Sequence, residues 1–177
     1  MAWDELSGVA GEKNFSVRFS ADIYDVNLTN RTILSSSANT PAKEYLGIII
    51  LHYLIKKIEL KVLPEPSGEW VDFRALEGGE GYYPAFKKRT IDVILKKYGD
   101  MPDRLLESAR RFGGKPASIG DTGIIMDIFE KVPMLITFWK GDEEFAPEAN
   151  ISFDKGISGI FCTEDIVVMT EVVAHSL

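Results

Sequence analysis

Apolar and polar residues alternate from Phe15 onward. Phe15, Val17, Phe19 and Ala21 fall on one face, with Ser16, Arg18 and Ser20 between them. A period of two marks a strand with one buried face. The phase changes near Asp22, Ile23 and Tyr24, which predicts a bulge or bend in a strand that runs on to Leu28. Residues 27–31 carry turn chemistry, so residues 32–34 are expected to pair back as a hairpin. Ahead of all this, Trp3 and Leu6 suit a short helical turn that Gly8 and Gly11 interrupt.

The period then changes to that of a helix. Over residues 41–58, Tyr45, Leu46, Ile49, Ile50, Tyr53 and Leu54 make one broad stripe, and Ile48, Leu51 and Ile55 carry it almost round the helix. That predicts an element buried on most sides. Thr40 is the expected N-cap, with Pro41 at the first helical position and Lys56 and Lys57 near the negative end of the dipole. Residues 84–98 predict a second, amphipathic helix that Gly99 and Asp100 stop. Residues 102–112 predict a third, closed by Gly113 and Gly114.

Strand patterns return at residues 121–129 and run through Glu130 and Lys131 into residues 132–139, where both faces are apolar. A strand covered on both faces belongs in the middle of its sheet. Residues 150–153 read as a further strand. Thr163, followed by Glu164 and Asp165, is the expected N-cap of a final helix, although residues 166–173 are rich in β-branched side chains. Strands early, helices in the middle, then strands and a helix predict an α+β fold: an antiparallel-rich sheet packed by a mostly buried central helix and further amphipathic helices. No repeat or linker divides the chain, so one domain over residues 1–177 is expected, with residues 1–37 as an N-terminal helical turn and β-hairpin and residues 38–177 as the core.

Charge narrows the partners. The net charge of −7 disfavours nucleic acid and anionic membrane surfaces, since each phosphate asks for a cation. The basic helix faces, Lys87, Lys88 and Arg89 and then Arg104, Arg110 and Arg111, read as solvated. No apolar run approaches the roughly 20 residues of a membrane span, and the N-terminus lacks the pattern of a secretory signal, so the expected protein is soluble and cytoplasmic. The single cysteine, Cys162, permits no internal disulfide, zinc-cysteine set or iron–sulfur cluster. It stands where a helix N-terminus would favour a thiolate, but the two imidazoles, His52 and His175, are poorly placed to serve it, and a structural role is the simpler reading. Neither Gly78-Gly79-Glu80-Gly81 nor Gly113-Gly114-Lys115 fits a phosphate loop.

Two stretches concentrate unusual residue types. Residues 67–83 combine Trp70, Phe73, Arg74, Tyr82 and Tyr83 with glycines 78, 79 and 81. An arginine among aromatics, with glycines that permit close approach, suits a small anionic or planar ligand. The other is the acidic run Asp142, Glu143 and Glu144 between Trp139 and Phe145. Its carboxylates, with Asp154, Glu164 and Asp165, are oxygen ligands of the kind magnesium or calcium takes, but the spacing matches no EF-hand, and a solvated turn is the simpler reading.

Together these strings resemble a known family: Leu51-His-Tyr-Leu54, Ser67-Gly-Glu-Trp70 with Phe73-Arg74, Gly78-Gly79, Ala85-Phe86, Gly120-Asp121, Val132-Pro133 with Phe138-Trp139, Gly141-Asp-Glu-Glu-Phe145, Phe153-Asp154 and Thr163-Glu-Asp165. The pattern is similar to that of domain of unknown function 3786, from about Pro41 to the C-terminus. The resemblance implies a protein of anaerobic bacteria or archaea, whose relatives in some cases carry an added cysteine-rich iron–sulfur segment. This chain lacks those cysteines, so a cluster would belong to an iron–sulfur protein partner. The reading that results is an accessory domain holding a small ligand or a partner between the two stretches. Trp70 and Trp139 would be stacking walls, Arg74 the anchor for an anion, and Asp142 and Glu144 acceptors for a donor or cation, with Tyr82 also among the ligand-binding residues and with no metal and no assigned cofactor. The alternatives are a metal-dependent hydrolase or transferase using Asp142, Glu144 and Asp154, and an assembly subunit whose aromatics form an interface.

Overall fold

The computed structural model describes residues 2–99 and 101–177; Asp100, expected to help stop a helix, lies outside them. The chain starts with helix α1 (Ala2–Val9), a fuller element than the expected turn, with Leu6 buried beneath it. Strands β1 (Asn14–Phe19), β2 (Asp22–Asn27) and β3 (Thr32–Ser35) then form an antiparallel meander. The phase change near Asp22 is therefore a full chain reversal between two strands and not a bulge or bend within one. Phe19 pairs with Asp22 across a tight turn in which Ser20 adopts φ 53° and Ala21 is exposed. The hairpin after β2 forms as predicted.

Helix α2 (Glu44–Leu60) is the spine of the molecule, buried along Leu46, Ile49, Ile50, Tyr53 and Leu54 and also at Leu51 and Ile55. Tyr45 and Ile48 leave the stripe and are exposed. The helix starts after Lys43, so Thr40 and Pro41 are not its cap and first residue. Pro41 instead forms a bridge with Leu34, and the Ala42 N–H donates to the Ile33 carbonyl.

A short strand β4 (Trp70–Asp72) and a single 3-10 turn (Phe73–Ala75) lead into α3 (Gly79–Arg89). The helix expected over residues 84–98 is two: α3 and α4 (Ile91–Tyr98), broken at Thr90, whose buried hydroxyl donates to the Phe86 carbonyl. The glycine run opens α3. A Cβ at Gly79 would lie 2.0 Å from the Phe73 carbonyl oxygen, so only glycine lets this helix start against that turn. Helix α5 (Pro102–Arg110) ends as predicted, with Gly113 at φ 77° and the Gly114 N–H returning to the Ala109 carbonyl.

The second sheet has five antiparallel strands in the order β4, β8 (Glu148–Asp154), β7 (Val132–Trp139), β6 (Thr122–Phe129) and β5 (Lys115–Ala117). The doubly apolar strand β7 is central, as its pattern predicts, while β4 and β5 are too short for alternation to reveal. Helix α6 (Thr163–Ser176) closes the chain, its β-branched residues overridden by the burial of Ile166, Val167, Met169 and Val173. The two sheets meet at Phe129, whose ring lies 5.2 Å from Phe19, 4.4 Å from Tyr53 of α2 and 5.5 Å from Phe161, centroid to centroid. The Ser20 N–H donates to the Ile128 carbonyl beside it.

Candidate functional site

The loop from β7 to β8, residues 140–147, is built by its own acidic residues. One oxygen of Asp142 accepts the backbone N–H groups of Glu144 and Phe145, each at 2.8 Å, while the Asp142 N–H donates to the Phe145 carbonyl at 2.9 Å. Those two backbone N–H groups hold the Asp142 carboxyl below its usual value. Gly141 is required by the same fold: a Cβ there would sit 2.8 Å from the Phe145 carbonyl oxygen and from the Pro147 ring. Asp121 fixes the start of the loop, accepting the Lys140 N–H at 2.8 Å.

With Asp142 engaged, Glu143, Glu144 and Phe145 project from the loop, and Phe145 is 69% exposed. Across from them stand Met101, Asp103 and Arg104 at the start of α5, and the two walls enclose a cleft of about 720 Å³. Trp139, 42% exposed, lies at the root of the loop opposite Glu148. Met101 and Asp103 had no signal in the sequence, and Arg104 stood out only as part of a basic helix face, because some forty residues separate them from the loop and only the packing of α4 and α5 on the sheet unites them.

The stretch 67–83 lies elsewhere. Trp70, half-buried on β4, pairs with Asp154 at the end of β8, whereas Trp139 pairs with Glu148 at its beginning. Those positions are six residue steps apart along β8, roughly 20 Å. The expected single site between the two stretches is therefore not brought together. Arg74 lies over the Tyr83 ring, 4.2 Å from its centroid, and pairs with Asp72 at 3.4 Å. Tyr82 is exposed on α3, its hydroxyl near the Arg89 guanidinium. Phe73 is core, stacked on Phe86 at 3.9 Å.

The same register separates the proposed metal ligands. Asp154 is 4% exposed and accepts from Ser67 Oγ at 3.0 Å, the Gly68 N–H at 2.8 Å and the Gly156 N–H at 2.9 Å. It is a clamp on the 67–69 segment, at the far end of β8 from Asp142 and Glu144. Among the described residues, no group of three or more His, Cys, Asp and Glu side chains converges as a metal-ligand set.

Cys162 is exposed, and its thiol is pushed up by desolvation and by the nearby Asp165 carboxylate, so the start of α6 does not favour a thiolate there. Thr163 is not the cap either; its hydroxyl donates to the Glu77 carbonyl at 2.7 Å. His52 ties α2 to α6, its Nδ1–H donating to the Asp165 carboxylate at 2.9 Å. On the basic faces, Lys87 pairs with Asp92 and Arg89 with Glu171. Among the described residues, no helix is long and apolar enough to cross a membrane.

A family model described as a domain of unknown function, DUF3786, matches residues 4–176, reaching well beyond Pro41 toward the N-terminus. No curated protein and no solved structure matches the chain.

Proposed function

The chain belongs to the family of domain of unknown function 3786, and we propose that it is an accessory domain that docks a partner protein on the cleft between the 140–147 loop and α5. The observation that carries this reading is the grouping of large exposed apolar side chains, Met101, Phe145 and neighbouring Trp139, with a rim dominated by acid. Asp103, Asp142, Glu143 and Glu144 outnumber Arg104 and Lys140 there. Apolar anchors inside a charged rim are the anatomy of a protein interface. The sign of the rim calls for a partner with a basic surface around an apolar pocket. A loop stiffened by Asp142 and Gly141 presents Phe145 with little ordering left to do on binding.

An iron–sulfur protein is the partner class that the family resemblance implies; the cleft itself asks only for a basic surface with a pocket for Phe145. Trp70 and Arg74 take no part in this reading, since they lie at the other end of β8. The test is affinity capture with cross-linking mass spectrometry on the whole protein. The wild type is expected to capture a partner through its lysines or arginines. Phe145→Ser, and separately the pair Glu143→Lys and Glu144→Lys, are expected to lose it, while Arg74→Ala keeps it. A partner that survives all of the loop changes would remove the cleft from consideration.

A further inference from the structure

A second cleft, of about 580 Å³, opens between the N-terminal end of α2, the C-terminal end of α3 and one face of α6. Its floor is apolar: Val168 and Val172 stand four residues apart on α6 and so share one face. Tyr45, 44% exposed, forms a wall.

The polar groups around that floor are mostly donors. Arg89 is held in place by Glu171, donating from Nε at 2.9 Å and from a terminal nitrogen to the same carboxylate oxygen. A guanidinium has five N–H groups; this arrangement commits two of them to the carboxylate, and the Tyr82 hydroxyl is a further neighbour, which leaves donors to spare. Lys43 also lines the cleft, and its ammonium lies 5.9 Å from the Tyr45 ring centroid with no carboxylate partner among the described residues. His175 adds a ring nitrogen. Glu171, the one acid among the described residues that line the cleft, is spent on Arg89. The α3 and α6 helix dipoles account for the cation at Arg89 and for a basic side chain at His175. They do not account for Lys43, which stands at the N-terminal end of α2, where a cation is disfavoured, nor for an exposed tyrosine beside two valines.

We propose that this cleft binds a small organic anion with an apolar body, a carboxylate or sulfonate on an aromatic or branched frame. Lys43 and the uncommitted donors of Arg89 take the anionic head, and Tyr45, Val168 and Val172 take the body. A charge-assisted pair of donors over an apolar floor distinguishes such an acid from its neutral analogue. Glu171 acts as a positioning residue, keeping the arginine aimed across the cleft. The partner-docking reading rests on different residues at the sheet end of the molecule, so either can fail alone.

The test is isothermal titration calorimetry on the whole protein, with 2-naphthoate as probe and 2-naphthylmethanol as its uncharged match. Naphthoate is expected to bind one to one, and more tightly than the alcohol. Lys43→Glu, an exposed change that leaves the core intact, is expected to weaken naphthoate by about tenfold or more, the loss of one hydrogen bond to a charged group, while leaving the alcohol unchanged. Circular dichroism confirms that the variant is folded. Equal affinity for acid and alcohol, no heat with naphthoate up to about 1 mM, or an affinity indifferent to Lys43→Glu would each overturn the proposal.

Discussion

At the scale of single residues, two aspartates carry most of the local design, and both act as acceptors for backbone N–H groups. Burial works to raise the Asp154 carboxyl, but hydrogen bonds from Gly156, Ser67 and Gly68 outweigh it and hold the group below its usual value. A carboxylate depressed by folding contributes its stability in full above the unfolded value, about 3.9, and loses it as pH falls through the folded value. Asp154→Ala is therefore expected to cost about 1–3 kcal/mol in urea unfolding at neutral pH, since it leaves three donors without their acceptor. The gap between wild type and variant should close as the solution is acidified below about pH 4. Asp142 is exposed, and its effect belongs to the loop alone. Asp142→Ala is expected to speed hydrogen exchange at the Glu144 and Phe145 amides while leaving the midpoint of global unfolding in place.

At the scale of elements, α3 provides its own control. Its first residue, Gly79, has no room for a side chain, because a Cβ would meet the Phe73 carbonyl oxygen at 2.0 Å; nothing lies within 4 Å of the corresponding position at Gly81. Gly79→Ala is expected to destabilise the protein by about 1–3 kcal/mol as the turn before α3 shifts to relieve the clash. Gly81→Ala, two residues on in the same helix, is expected to stabilise by about 0.5–1 kcal/mol, since the backbone entropy it saves meets no opposing contact. Thermal unfolding of the pair, with the opposite signs expected, separates a glycine needed for packing from one that is not.

At the scale of the molecule, Phe129 is the residue through which the three-stranded and five-stranded sheets, α2 and the segment before α6 touch one another. Phe129→Ala is expected to cost about 3–5 kcal/mol. Because that ring and the Ser20–Ile128 hydrogen bond join the sheets, the wild type is expected to unfold in one step, with the same urea midpoint by tryptophan fluorescence and by far-ultraviolet circular dichroism. Two midpoints would mean that the meander of β1 to β3 is a separate unit. The far end of the chain is also fastened, with Tyr98 and Ser108 both donating to the Leu177 carbonyl oxygen, which keeps the outer face of α6 in register with the cleft beside it.

What the sequence determined by itself was local and periodic. The stripe of α2, the doubly apolar β7, the second hairpin of the meander and the glycine stop after α5 were legible because each is written in neighbours a few residues apart. The α+β class followed from their order. The turn at Ser20 and the break at Thr90 were not legible, for neither position carries the glycine, proline or asparagine that announces a chain reversal or a helix end. The candidate site was legible only as residue types. Trp70, Arg74, Trp139, Asp142 and Glu144 stood out as unusual, yet no periodicity says that β4 pairs with the last residues of β8 while the acidic loop precedes its first. That is a matter of register between distant strands, settled by which apolar faces bury best against one another. The facing of Met101 and Phe145, and of Lys43 and Arg89, is likewise a product of tertiary packing: helices that bury their own stripes against a common sheet bring their exposed residues together at positions no single segment encodes.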